Sequence, residues 1–140
     1  MRVVLDTNVF VSATLLRGGN EDSILRAWRG GAFDLVLSRQ ILEEILRALS
    51  YPKIRKARWI SDQEVTSLIE SLADESLVVS GNVTVAVCRD PGDDKFLAAA
   101  LEGEARYVVS GDKDLLALKT YRNIQIITPA RFLAIVRRGE

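Results

Sequence analysis

The chain predicts an α/β fold built on a central parallel sheet, and two observations predict it. Short β-branched runs alternate with longer runs whose apolar residues recur at helical spacing. The long runs are also bounded by residues that start and stop helices. The first strand is Arg2–Leu5, followed in turn by residues 34 to 37, Tyr107–Val109 and residues 125 to 127, with Leu77–Val79 as a further candidate. One helix begins near Glu21, buries Ile24, Leu25, Ala27 and Trp28, and ends at Gly30-Gly31. Another is capped by Ser38, buries Ile41, Leu42, Ile45, Leu46 and Leu49, and is stopped by Pro52. Ser61-Asp62-Gln63-Glu64 is a capping box that opens a third helix running to about Asp74. A fourth spans about 93 to 101 and closes at Gly103; a short one covers 112 to 118. Thr128-Pro129 announces the last, which ends at Gly139. No repeat or linker interrupts the series, and 140 residues suit one domain covering 1–140.

Composition narrows the chemistry. The chain has no histidine, which excludes Ser-His-Asp and Cys-His catalysis and every histidine-ligated metal. Its single cysteine, Cys88, has no partner for a disulfide or a zinc site and reads as a small buried apolar group. No apolar run approaches the length of a membrane span, so no membrane partner is expected. The start, Met1-Arg2-Val3-Val4-Leu5-Asp6, reaches an acid before a signal core could form, so cytoplasmic residence is expected. Nineteen acids balance nineteen bases. With four acids placed in a site, fifteen would face nineteen bases, an excess of four positive charges. Fourteen of the bases are arginine, whose planar fork suits phosphate.

The acids fall at strand ends, where open parallel sheets bind ligands. The first strand runs into Asp6-Thr7-Asn8; Tyr107-Val108-Val109 runs into Ser110-Gly111-Asp112-Lys113-Asp114; and Asp90-Pro91-Gly92 delivers Asp93 to a helix start. Asp93 and Asp112 also suit simple helix capping. Asp6, at the edge of the core, is costly unless its charge is compensated. Converging carboxylates repel by about 3 kcal/mol per pair at 5 Å and an effective dielectric near 20. With oxygen ligands only, the ion that would relieve them is Mg2+ or Mn2+.

These residues resemble the PIN-domain nucleases, and among them the VapC-like toxins of toxin-antitoxin systems. The likeness rests on Val4-Leu5-Asp6-Thr7-Asn8-Val9-Phe10, on residues 38 to 49, on Cys88-Arg89-Asp90-Pro91-Gly92-Asp93-Asp94-Lys95-Phe96, and on Val109-Ser110-Gly111-Asp112-Lys113-Asp114-Leu115. It implies a PIN-like three-layer α/β/α sandwich, metal-dependent hydrolysis of RNA, and a site in which Asp6, Asp93 and Asp112 are the first, third and fourth acids. The second would be a glutamate of the Ser38 helix. Helical geometry leaves Glu43 and Glu44 open, each about 130° from the centre of the apolar stripe; the family's spacing favours Glu44. Gly92 stands where the family commonly has an acid, and Asp94 where it commonly has asparagine or another residue, so Asp93 competes with its neighbour. Asp114 is a candidate fifth, outer ligand. Asn8 and Ser110 either orient water or phosphate or bond the turn backbone.

Substrate contacts are expected from the acid-free segment 47–60, with Arg47, Lys53, Arg55, Lys56 and Arg58 interleaved with Tyr51 and Trp59, and from Lys113. A solvated connector is the plain alternative for that segment. The resemblance implies an antitoxin partner or a homodimer, for which Leu15, Leu16, Trp28 and Trp59 are candidate contacts, with Trp28 favoured as core. Two other enzyme classes fit less well. An aspartyl-phosphate phosphatase needs an acid where Asn8 stands, and a phospho-accepting receiver needs one where Ser38 follows Leu37. A non-catalytic RNA-binding scaffold would be expected to lose acids, and all four are present.

Overall fold

The computed structural model describes residues 1–139. β1 (Arg2–Leu5) lies between β2 (Asp34–Ser38) and β4 (Tyr107–Val109) and runs parallel to both. β3 (Leu77–Val79) extends the sheet beyond β2 and β6 (Ile124–Ile127) extends it beyond β4, again in parallel. β5 (Thr120–Tyr121) adds an antiparallel edge, giving the order β3-β2-β1-β4-β6-β5. The two central strands are apolar without alternation because both faces are covered: Val3, Val4, Leu5, Tyr107, Val108 and Val109 are all buried.

The covering helices are α1 (Thr7–Leu15), α2 (Asn20–Arg29), α3 (Arg39–Ser50), α4 (Pro52–Ala57), α5 (Asp62–Glu75), α6 (Asp94–Glu102), α7 (Lys113–Leu116) and α8 (Pro129–Arg137). α6 packs on β1, β2 and β4 and meets α3, while α2 packs against α8. The result is the expected α/β sandwich. Its helix starts follow the caps in the sequence: Ser38 Oγ accepts from Ile41 N at 3.2 Å, Ser61 and Glu64 close a capping box, and Thr128 Oγ1 accepts from Arg131 N at 3.2 Å.

Three elements depart from the sequence reading. Residues 7–15 form α1, although Thr7, Val9, Val11 and Thr14 are β-branched and poor helix formers. Burial of Val9, Phe10, Ala13 and Thr14 outweighs that preference, with Asp6 capping the start. Pro52 stops α3 and also opens α4, since its fixed φ and missing N–H suit a first helical turn. β5 and β6 form a hairpin, its two turn residues Arg122 and Asn123 at φ 46° and 69°, the left-handed pair a two-residue hairpin requires.

Two contacts fix α6. At Gly103 a Cβ would lie 2.5 Å from Val36 Cγ1, so glycine lets the helix end seat directly on β2. In its last turn, Glu102 accepts from the backbone N–H groups of Ser80 (2.9 Å), Gly81 (3.0 Å) and Asn82 (3.1 Å) and from the Ser80 hydroxyl. At the other end of the chain, Phe132 of α8 is fully buried, edge-on to Phe33 at 5.0 Å and tilted against Tyr107 at 6.0 Å.

Candidate active site

Asp6 follows β1 directly, and its N–H still belongs to the sheet, donating to Val109 O at 2.9 Å. The register that pairs Leu5 with Val109 therefore sets Asp6 beside Ser110, the residue after β4. Ser110 is fully buried and donates its hydroxyl to Asp6 Oδ2 at 2.6 Å, while its Oγ accepts from Asp112 N at 3.0 Å. Asp6 Oδ1 accepts from Asn8 N at 3.1 Å, and Asp112 Oδ1 accepts from Asp114 N at 2.8 Å. Two strand ends thus carry two carboxylates, each fixed by a backbone N–H, and the Ser110 hydroxyl ties the Asp6 carboxylate to the Asp112 backbone.

Asp93 reaches the same place from another direction. A single 3-10 turn, Pro91–Asp93, is pinned by Asp90, which accepts from Gly92 N at 2.9 Å, and it brings Asp93 close enough to Asp112 and Asp6 for their charges to act on it. Burial, then the charges of Asp112 and Asp6, push the Asp93 carboxyl up to about 6. Asp6 is also raised: burial dominates, the bonds from Ser110 and Asn8 oppose it, and Asp112 and Glu44 add to it.

Glu43 and Glu44 separate by tertiary partners. Glu43 is exposed and pairs with Arg39 one turn back at 3.1 Å. Glu44 turns inward, where Oε1 accepts the Thr7 hydroxyl at 2.6 Å and Oε2 pairs with the Lys95 ammonium. Asp93 and Asp94 separate as well. Asp94 Oδ1 accepts from Cys88 N at 2.8 Å and Val87 N at 3.1 Å, tying the preceding loop to α6. Burial opposes its charge, but those backbone donors outweigh it and hold the carboxyl low. Cys88 is half-buried rather than fully buried, and burial followed by its bond to Asp94 pushes the thiol up to about 12, leaving it unreactive at neutral pH.

The other expected site residues hold their side chains in other contacts or in solvent. Asp114 is turned to Arg89 at 3.7 Å, and Asn8 and Lys113 are exposed at the rim. Lys53, Arg55 and Lys56 are exposed on α4, with Arg55 engaged by Asp62 at 2.5 Å. Trp59, just past α4, bonds the far end of α1, its N–H donating to Thr14 O and Nε1 to Ala13 O, both at 2.9 Å. Thr14 lies eight residues, about 12 Å of helix, from Asp6. Arg58, grouped with the basic segment, has its side chain only 4% exposed. It donates to Leu49 O at 2.7 Å and Ile60 O at 3.2 Å and pairs with Asp62, so it is a structural staple. Trp28 is core, at 6% exposure. Sequence reasoning left Thr7 and Lys95 without roles. Only the packing of α1 and α6 on α3 brings them to Glu44.

The donor set suits a hard divalent cation: the groups are carboxylates, and the charges around Asp6 and Asp93 help to raise those two. As they lie, no three acidic or cysteine side chains among the described residues stand in position to hold one ion. Glu44 faces Lys95 rather than the other acids. The family model of the PIN domain matches residues 2–114, a span that holds all four acids. The chain belongs to the PIN-domain family. PIN domains are generally nucleases acting on RNA or DNA and typically use divalent metal ions. This PIN domain is also similar to an uncharacterized protein of Methanocaldococcus jannaschii, at 30% identity over 95% of this chain and 90% of that one. No helix among the described residues is long and apolar enough to cross a membrane.

Proposed function

We propose that this PIN domain is a metal-dependent ribonuclease whose Asp6, Glu44, Asp93 and Asp112 hold Mg2+ or Mn2+ for phosphodiester hydrolysis. One observation carries the reading. Asp6 and Asp112 follow adjoining parallel strands, Asp93 comes near enough on its turn to feel their charges, and none of the three has an ion-pair partner among the described residues. A bound ion supplies charge to the scissile phosphate and a lowered pKa to the attacking water. Ser110 and Asn8 N hold both oxygens of Asp6 so that it cannot rotate, and Thr7 does the same for one oxygen of Glu44. Protons compete with an ion for Asp93, whose carboxyl is pushed up to about 6 by burial and the charges of Asp112 and Asp6. Ser110, committed to Asp6 and fully buried, positions that acid rather than touching substrate.

Lys113 and Asn8 at the rim are the proposed nearest substrate contacts, with Lys53 and Lys56 neutralising phosphates further along the strand. RNA as substrate and a toxin role with an antitoxin partner follow from the motif resemblance. Exposed Leu15, Leu16 and Trp59 offer that partner, or a second copy, an apolar surface. The test is cleavage of end-labelled RNA, and of DNA of the same sequence, with Mg2+, Mn2+ or chelator. RNA cleavage lost in chelator and restored by excess metal is expected; cleavage that persists in chelator overturns the proposal, and cleavage of DNA alone overturns the substrate.

The raised Asp93 carboxyl also sets a pH dependence. Its folded value lies above its unfolded one, so it contributes stability that is present below about pH 4 and lost as pH rises through about 6. In chelator the melting temperature is expected to fall over that window. Mn2+ should restore it at pH 7 and have little effect at pH 5, where protons compete for the same oxygens. A Mn2+ response equal at pH 5 and pH 7 would count against Asp93 as a ligand.

A further inference from the structure

Glu44 raises a question that the other three acids do not, because its charge is already met from within the chain. Its Oε2 is paired with Lys95, whose side chain is only 12% exposed, and its Oε1 accepts from Thr7 at 2.6 Å. The ammonium is held on a second side by Gly92 O at 2.5 Å, the backbone of the turn that carries Asp93. Among the described residues, Lys95 is the one cation paired with any of the four acids. It stands one residue from Asp94 and two from Asp93, at the start of α6, so the element that delivers an acid also delivers the charge that opposes a metal there.

We infer that Lys95 is the resident cation of the site: it occupies Glu44 when no metal is bound, and it must leave Glu44 for an ion to take that carboxylate. This rests on the proposed metal site and adds to it a competition between a side chain and the ion. An ammonium and a divalent ion cannot share Oε2 without like-charge repulsion, which the partial shielding of both side chains strengthens. Lys95 has somewhere to go. A cavity of about 240 Å3 opens beside it, lined by Ser38, Arg39, Gln40, Lys95, Ala98 and Glu102. The four-carbon stem can swing into that space while the helix stays in place. The ion pair therefore lowers metal affinity in return for a site in which Glu44 is never left bare.

The test is Mn2+ binding to the full chain, read by the free-Mn2+ spectroscopic signal and by calorimetry, with melting curves to show that each variant folds. Lys95→Met keeps the stem's packing and removes the charge, and it is expected to bind Mn2+ about tenfold more tightly than wild type. The gain should vanish when the same change is made in Glu44→Gln, because the carboxylate that Lys95 guards is then absent. Lys95→Arg, which retains a cation, should show no gain. If Lys95→Met does not fold, Lys95→Gln replaces it; it is neutral and still able to donate to Gly92 O. Equal or weaker binding by the neutral variant, or a gain that survives Glu44→Gln, overturns the inference while leaving the metal site standing. Absence of Mn2+ binding in wild type and every variant overturns the metal site itself, and the inference with it.

Discussion

Asp6→Asn is expected to slow phosphodiester cleavage by about a thousandfold or more and, in chelator at pH 7, to raise the melting temperature. The opposite signs have one cause. Asp6 is 5% exposed, and burial together with the charges of Asp112 and Glu44 raises its carboxyl. Asparagine has the same shape and can still accept from Asn8 N, while its amide donates to Ser110 Oγ where the carboxylate had accepted. The fold therefore loses a repelled charge and keeps its cap, whereas a bound ion loses its best-fixed ligand. Each 1 kcal/mol of relieved repulsion should add about 3 to 5 °C. A group raised in the folded state contributes stability that is full below its unfolded value, near 3.8, and lost above it. The advantage of asparagine should accordingly shrink towards zero near pH 3.5. Melting curves from pH 3.5 to 7.5 beside a cleavage assay decide it; a variant that retains cleavage within tenfold of wild type sinks the role given to Asp6.

Phe132→Ala should be the most damaging single truncation outside the site. The ring is fully buried and packs on Phe33 and Tyr107, so its removal loses a large apolar surface and two aromatic contacts and leaves a cavity. Such changes cost about 3 to 5 kcal/mol, against a total stability of about 5 to 15 kcal/mol for a domain. Urea unfolding followed by circular dichroism should show the midpoint lowered by that loss divided by the slope, with the slope unchanged. A loss below about 1 kcal/mol would mean that α8 is not part of the core. Phe132 lies beyond residue 114, where the family match ends, so the integrity of the acid-bearing strands depends on a segment outside the span that identifies the family.

Much of this architecture is legible in local chemistry. β1 and β4 are readable because buried parallel strands are runs of valine and leucine, and Asp6 and Asp112 because they follow those runs directly. α1 is not readable, since its β-branched residues favour a strand and only tertiary burial makes them helical. Pro52 reads as a stop because proline ends helices, yet the same ring starts the next one. Glu43 and Glu44 are nearly symmetric about the apolar stripe of α3. Their difference lies in Thr7 and Lys95, which are 37 and 51 residues away in sequence. Arg58 reads as one of a basic run, and nothing nearby shows that its fork closes the end of α3 at Leu49 O.

The stretch between β3 and the Asp93 turn is fastened at both ends to one helix. Glu102 in the last turn of α6 grips residues 80–82, and Asp94 in the first turn grips residues 87 and 88. The excursion is thus a handle riveted to α6, and a rotation of that helix carries both rivets and Asp93 through the same angle. Between the rivets, Val85 is buried in the core and Val83 packs against it, so the handle is pinned at its middle as well. A change of length there is absorbed at small entropic cost only where it leaves both valines seated.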